Sequence, residues 1–259
     1  MISKNKAKFI ISLQKKKIRD EEKLYVIEGD KLVREFVAAR VPIKAVIANP
    51  EFIRSLPADI NNFIDETESI TYEELKQIST LKTPHNALAI IPMPEHTMNT
   101  SEILKELCVG LDCVQDPGNL GTIIRASGWF GIKNIICSEN SVDVYNPKVI
   151  QASMGALLHV NVFYTDLEKL CTQARENNVP VFGSVLKGDS IYSHKLDNKG
   201  VILLGNESKG ISEKLISLIT DFIMIPRFGA AENGIDSLNV GMAASVIFSE
   251  FRRRVVAQQ

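Results

Sequence analysis

The 259-residue chain has little of what marks several large protein classes. No apolar run approaches the roughly 20 residues that cross a bilayer as a helix, so no membrane span is expected. The N-terminal MISKNKAKFIISLQKKK is basic, but its apolar part is only FIISL and it has no small-residue cleavage site, unlike a secretory signal; a cytoplasmic location is the expectation. Cysteine is scarce. Cys108, Cys113, Cys137 and Cys171 form no CxxC pair, which argues against a disulfide framework and for reduced, buried thiols. The four histidines (His85, His96, His159, His194) are scattered without ligand spacing, so no metal is expected. An excess of one charge is also missing. The formal net charge is −1, so contact with nucleic acid must come from a local patch. Two nucleotide fingerprints are absent. There is no GxxxxGK[ST], and where a dinucleotide site needs G-x-G-x-x-G the turn reads G-N-L-G, which argues against both classes.

What is present suits a globular protein of one large or two ordinary domains, with 45% hydrophobic and 24% charged residues. Residues 3–19 carry seven Lys or Arg and no acid, with Phe9, Ile10 and Leu13 at helical spacing. This predicts one basic amphipathic helix, either a solvated face or an RNA-facing patch. LYVIEG, IKAVIA and ALAIIPM predict strands. DKLVREFVAAR and ITYEELKQIST predict helices, the second with Thr71 as N-cap and Glu74 in the capping-box position. Residues 1–94 thus read as a small α/β domain and 95–101 as a linker. Over 102–259 the alternation restarts. CVGLDCV, NIICS, VPVFGSVL, VILLG and FIMIP predict strands, and LGTIIRASGWF, NPKVIQASMGALL, DLEKLCTQARENN, SEKLISLI and LNVGMAASVIFSEFRRR predict helices. Such alternation implies an α/β fold with a mostly parallel sheet, whose ligands lie beyond the carboxyl ends of the strands.

Three of those strand ends carry unusual polar groups. In DPGNLGTIIRAS, Pro117 and Gly118 predict a turn, Asn119 a helix cap, and Arg125 a cation one turn beyond Gly121 on the same helix face. In VILLGNESKGIS, an apolar strand ends in Gly205, Asn206 and Glu207, an amide and a carboxylate placed to hold a polar ligand, or simply a loop capped by Ser212. In IMIPRFGAAENGIDSLNVGMAAS, Ile225 and Pro226 end a strand, and Ser237, Leu238 and Asn239 open a helix of small residues suited to close packing.

Together these stretches resemble the motifs of the SpoU (TrmH-type) family of RNA 2′-O-ribose methyltransferases, in the SPOUT superfamily. The family's N-x-G-x-x-x-R is matched by Asn119, Gly121 and Arg125; its GNE-x-x-G by Gly205, Asn206, Glu207 and Gly210; its IP and SLN by Ile225, Pro226, Ser237, Leu238 and Asn239. The resemblance covers about residues 102–252, and LYVIEGDKLVREFV is similar to the family's L30e-like substrate-binding domain. It implies a SPOUT-type trefoil-knotted domain, a homodimer in which the arginine reaches the partner's cofactor, and RNA as substrate, ribosomal RNA ahead of transfer RNA. It implies S-adenosylmethionine as cofactor, held at Gly205, Ile225 and Leu238, with Leu203, Asn206 and Pro226 beside them. One departure is the long spacer AAENGID before SLN, which bears on the shape of the pocket.

The resemblance makes Arg125, Asn119, Glu207, Ser237 and Asn239 the candidate catalytic residues. A guanidinium, with a pKa above about 12, is a poor base near neutral pH. Arg125 is therefore expected to bind the adjacent phosphate and stabilise charge on the 2′-oxygen. Glu207 is expected either to orient Arg125 or to act as base, and the sequence leaves both open. The rival readings are a transfer-RNA 2′-O-methyltransferase, a base methyltransferase of the same superfamily, and a non-catalytic dimeric RNA-binding protein of the same fold.

Overall fold

A computed structural model describes residues 2–95, 97–229 and 236–256, the last three by their backbone alone. The chain forms two compact units: residues 1–95 with 145–158, and residues 96–144 with 159–259.

The first unit opens with α1 (Lys4–Ser12) and α2 (Lys16–Glu22). The sequence predicted one helix here. The chain breaks at Leu13 because the Arg19 guanidinium folds back and donates to the Leu13 and Gln14 carbonyls at 2.9 and 2.7 Å, satisfying the end of α1. One of the seven cations is thereby buried and structural. Then follow β1 (Leu24–Glu28), α3 (Asp30–Ala38), β2 (Ala45–Ala48), α4 (Pro50–Arg54), β3 (Thr67–Ser69), α5 (Tyr72–Ile78) and β4 (Ala87–Pro92). The capping box of α5 forms as predicted: Thr71 accepts from the Glu74 N–H and Glu74 accepts from the Thr71 N–H. The sheet order is β1-β4-β2-β3, antiparallel except for β2 with β3. Along β2, Ala45 and Ile47 enter one core, and Val46 and Ala48 the other. This period of two leaves the sheet covered on both faces.

Residues 145–158, expected within the second domain, belong to the first unit's core. They contain α8 (Pro147–Ser153). Ile150 is buried there, Tyr145 lies 4.6 Å from Tyr25 between ring centroids, and Gln151 Nε2 donates to the Glu28 carbonyl at 3.1 Å. Periodicity identifies such a helix but not the core it joins, since Ile150 is apolar in either setting.

The second unit contains α6 (Thr100–Ile103), β5 (Leu107–Leu111), α7 (Pro117–Trp129), β6 (Asn134–Cys137), β7 (Asn161–Tyr164), α9 (Leu167–Glu176), β8 (Val181–Ser190), β9 (Gly200–Leu204), α10 (Glu213–Ile216), β10 (Asp221–Met224) and α11 (Val240–Val256). α6 begins inside the stretch expected as a linker, with Asn99 as its cap. Every pairing in the sheet β10-β8-β9-β5-β6-β7 is parallel, so all carboxyl ends share one edge. The central strands β5 and β9 are wholly buried, which accounts for their unbroken apolar sequences. β7 was not predicted: NVFY is short, and none of its residues is fully buried.

Candidate active site

The three polar stretches meet at the carboxyl edge of the second sheet. The first begins with a correction. Asp116, not Asn119, caps α7: its Oδ1 accepts the Asn119 N–H at 2.8 Å, and Pro117 occupies the first helical turn, where its missing N–H costs nothing. Pro117 and Gly118 are thus helical rather than a turn. With the cap supplied elsewhere, the Asn119 side chain is free to bond outward. Leu120, Ile123 and Ile124 bury one side of α7, while Arg125 is exposed and has no hydrogen-bond or ion-pair partner among the described residues.

The second stretch is a closed loop after β9. Asn206 and Gly210 exchange backbone hydrogen bonds of 3.0 and 2.9 Å. The Asn206 Oδ1 accepts the N–H groups of Ser208 and Lys209, both at 3.0 Å, and its Nδ2 donates to the Cys113 carbonyl at 2.8 Å. Position 205 must be glycine, because a Cβ there would lie closer than 3.0 Å to the Gly210 carbonyl and the Ile211 nitrogen. Below the loop, the buried Asp112 carboxylate accepts the Ser212 N–H at 2.7 Å. Glu207 stands exposed at the tip, and its Oε1 accepts from Asn119 Nδ2 at 2.8 Å. The possible Glu207–Arg125 bond is absent among the described residues; the carboxylate is held by Asn119.

The third stretch completes the cluster. Asn239 Oδ1 accepts the N–H groups of Gly241 and Met242 at 3.0 and 3.2 Å, capping α11, and its Nδ2 donates to Asn119 Oδ1 at 2.7 Å. Gly241 lets α11 approach α7, since a Cβ there would sit 3.0 Å from the Thr122 methyl carbon. At the far end, Arg252 donates to the Phe130 and Gly131 carbonyls at 2.7 and 3.0 Å and so closes the C-terminus of α7. Asn119, Glu207 and Asn239 are therefore one hydrogen-bonded unit drawn from three segments.

The other predicted residues divide. Gly205, Ile225 and Leu238 have backbone N–H groups that donate to no acceptor among the described residues. Ile225 and Pro226 are half-buried, and Leu238 is 52% exposed, which leaves apolar surface beside those groups. Leu203 is wholly buried in the core, and Asn206 is committed to the loop. Ser237 is exposed and makes no hydrogen bond among the described residues. Residues 230–235 of the long spacer lie outside the described residues. The sequence reading missed Asp112, the Cys113 carbonyl, Asp116 and Arg252. Asp before Pro at a strand end was the available signal for Asp116; the rest depend on long-range approach. Among the described residues, no cluster of three or more His, Cys, Asp or Glu could hold a metal, and no helix is long and apolar enough to cross a membrane.

Comparison with known proteins agrees over nearly the whole chain. Residues 4–89 match an MRM3-like substrate binding domain. The chain is 27% identical over 241 residues, 93% of each protein, to the Bacillus subtilis 23S rRNA (guanosine(2553)-2′-O)-methyltransferase RlmP. It is 24% identical to the human mitochondrial rRNA methyltransferase 3, covering 92% of this chain and 69% of that one. Among solved structures it resembles a putative RNA methyltransferase of the TrmH family from Porphyromonas gingivalis, with a TM-score of 0.86, 35% identity, and 98% and 99% of the two chains covered. An AdoMet-bound rRNA methyltransferase from Sinorhizobium meliloti gives a TM-score of 0.85 at 26% identity, covering 98% and 97%. With residues 106–249, more than half its length, matching the SpoU rRNA Methylase family model, the chain belongs to that family.

Proposed function

We propose that this protein transfers the methyl group of S-adenosylmethionine to a ribose 2′-hydroxyl of RNA, and that its substrate is ribosomal RNA. One observation carries the reading: Asn119, Glu207 and Asn239, one residue from each motif, form a single hydrogen-bonded cluster at the carboxyl edge of a parallel sheet. The rRNA 2′-O-methyltransferase RlmP, similar along 93% of both chains, supports the choice of substrate.

The residues present fit the cofactor. The free N–H groups of Gly205, Ile225 and Leu238 suit the polar edges of a nucleoside, and the Ile225 and Leu238 side chains suit its faces. When bound, S-adenosylmethionine supplies a methyl carbon already activated by the sulfonium charge. The protein has to align the ribose hydroxyl, exclude competing water and deal with one proton. Arg125, permanently cationic, binds the phosphate next to the target ribose and stabilises negative charge on the 2′-oxygen.

We take the second unit to be a trefoil knot and the protein to be a cytoplasmic homodimer. Family membership and the strand order β10-β8-β9-β5-β6-β7 support the knot. Four unpaired cysteines fit a reducing compartment. The dimer is supported by the place of Arg125: six residues beyond Asn119 on α7, it lies about 120° around the helix and has no partner in its own chain among the described residues. The first unit, with its match to a substrate binding domain, is the RNA-holding part.

The test is transfer of labelled methyl from S-adenosylmethionine to unmodified ribosomal RNA, with transfer RNA as the competitor. Preferential labelling of ribosomal RNA supports the reading; labelling of transfer RNA alone replaces the substrate. Mixing Arg125→Ala with Glu207→Gln subunits should restore activity, since one composite site is then intact. No restoration would place arginine and carboxylate in the same chain's site.

A further inference from the structure

The hydrogen bonds of the cluster have a direction, and it determines where its carboxylate can carry a proton. An amide can present oxygen or nitrogen, but the choice at Asn239 is forced. Its Oδ1 accepts from two backbone N–H groups, of Gly241 and Met242, and only an oxygen can do so. Its Nδ2 is then the atom that donates to Asn119 Oδ1. Asn119 is left with Nδ2 for its second partner, so Glu207 Oε1 must accept. Oε1 is thereby engaged as an acceptor, and Oε2 is the oxygen left open to take or release a proton. That oxygen makes no hydrogen bond among the described residues, and Glu207 is exposed, two residues after the free N–H of Gly205.

Among the described residues, the neighbouring charged groups do not replace it. Asp116 is engaged with the Asn119 N–H and Asp112 with the Ser212 N–H. Lys209 and Asp236 are exposed, and α11 has no acid in its first turn. Arg125 is off the relay and permanently charged.

We propose that Glu207 Oε2 accepts the proton of the ribose 2′-hydroxyl, and that Asn119 and Asn239 are positioning residues that keep Oε1 an acceptor. The proposal rests on the methyltransferase reading above. The 2′ O–H bond breaks as an O–H bond forms at Oε2. The electron pair left on the ribose oxygen forms the bond to the methyl carbon, and the pair of the broken C–S bond stays with sulfur. One carboxylate charge and one sulfonium charge disappear together, and Oε2 later returns the proton to water.

Wild type, Glu207→Gln and Asn119→Asp are compared in single-turnover transfer to unmodified ribosomal RNA, in calorimetric binding of S-adenosylmethionine, and in melting temperature. Glutamine keeps an oxygen for Asn119 but sets NH2 in place of Oε2. Transfer should fall about 10²–10⁴-fold, as for loss of a general base, with cofactor affinity and melting temperature unchanged. Asn119→Asp sets a second carboxylate against Glu207. The acidic limb of the pH–rate profile should then move to higher pH, and so should the titration of the Glu207 carboxyl carbon followed by NMR in the cofactor-free protein. A Glu207→Gln enzyme within about threefold of an active wild type overturns the proton-acceptor role. An unmoved Glu207 titration in Asn119→Asp overturns the relay, whatever the activity. A wild type that methylates no RNA overturns the functional reading itself, and the proton-acceptor role falls with it.

Discussion

Replacing Gly205 by alanine tests whether the loop after β9 is held as tightly as its geometry implies. The added methyl would meet backbone atoms of Gly210 and Ile211 closer than 3.0 Å, not the end of a flexible side chain. Overpacking of this kind costs about 1–3 kcal/mol. Relief requires opening the loop, which breaks the two Asn206–Gly210 backbone hydrogen bonds, each worth about 1 kcal/mol net. The expected destabilisation of the second unit is thus about 3–5 kcal/mol, with loss of cofactor binding, because the Gly205 N–H moves with the loop. Gly210→Ala is the control. No atom lies within 4 Å of its added methyl, but its φ of +71° disfavours a side chain, so about 1–2 kcal/mol is expected. Urea unfolding followed by circular dichroism, with calorimetric titration of S-adenosylmethionine, measures both. A Gly205→Ala protein within about 1 kcal/mol of wild type that still binds cofactor would refute the argument.

Further outcomes follow from other parts of the molecule. Arg125→Ala should leave stability within about 0.5 kcal/mol, because the side chain is exposed and unpartnered among the described residues, while transfer falls about 10²–10³-fold; an Arg125→Lys enzyme at full rate would rule out planar phosphate recognition. Ile150→Ala, in the α8 segment, should destabilise the first unit by about 2–5 kcal/mol, and residues 1–95 alone should unfold less cooperatively than the intact chain. Burial pushes the thiols of Cys108 and Cys171 up to about 12, whereas Cys113 is only half-buried. A thiol reagent at pH 8 should therefore modify Cys113 first in the native protein. These groups, with Cys137, whose thiol burial also raises, favour the folded state fully below the ordinary thiol value near 9. That contribution should fade as the pH climbs from there toward 12, seen as a falling melting temperature.

Much of the site was legible because its parts are local. Apolar runs gave the strands, and Thr71 with Glu74 gave one helix start outright, since both partners lie within one turn. The motif residues were readable as types at strand ends. Their bonding was not. Asn119 looked like a helix cap because asparagine commonly is one, but Asp116 had the better position, and that freed Asn119 for Glu207 and Asn239, 88 and 120 residues away. Arg19 was counted among seven surface cations and proved to be the buried cap that splits the N-terminal helix. α8 was recognised as a helix, but its packing into the first unit's core was not legible, because nothing within it distinguishes one apolar core from another. Contacts across long sequence separations decided the bonding of Asn119 and the core that α8 joins, whereas Asp116 and Arg19 act on carbonyls and N–H groups within six residues of themselves.

The measurement that bears most directly on the account is the chemical position of the transferred methyl group. Unmodified ribosomal RNA labelled with methyl from S-adenosylmethionine is hydrolysed in alkali, which needs a free 2′-hydroxyl to cut the chain. The account requires the label to appear in an alkali-resistant dinucleotide and to vanish with Arg125→Ala. Label recovered in ordinary mononucleotides, and released with the free base, would show that a base is methylated and would contradict the ribose reaction.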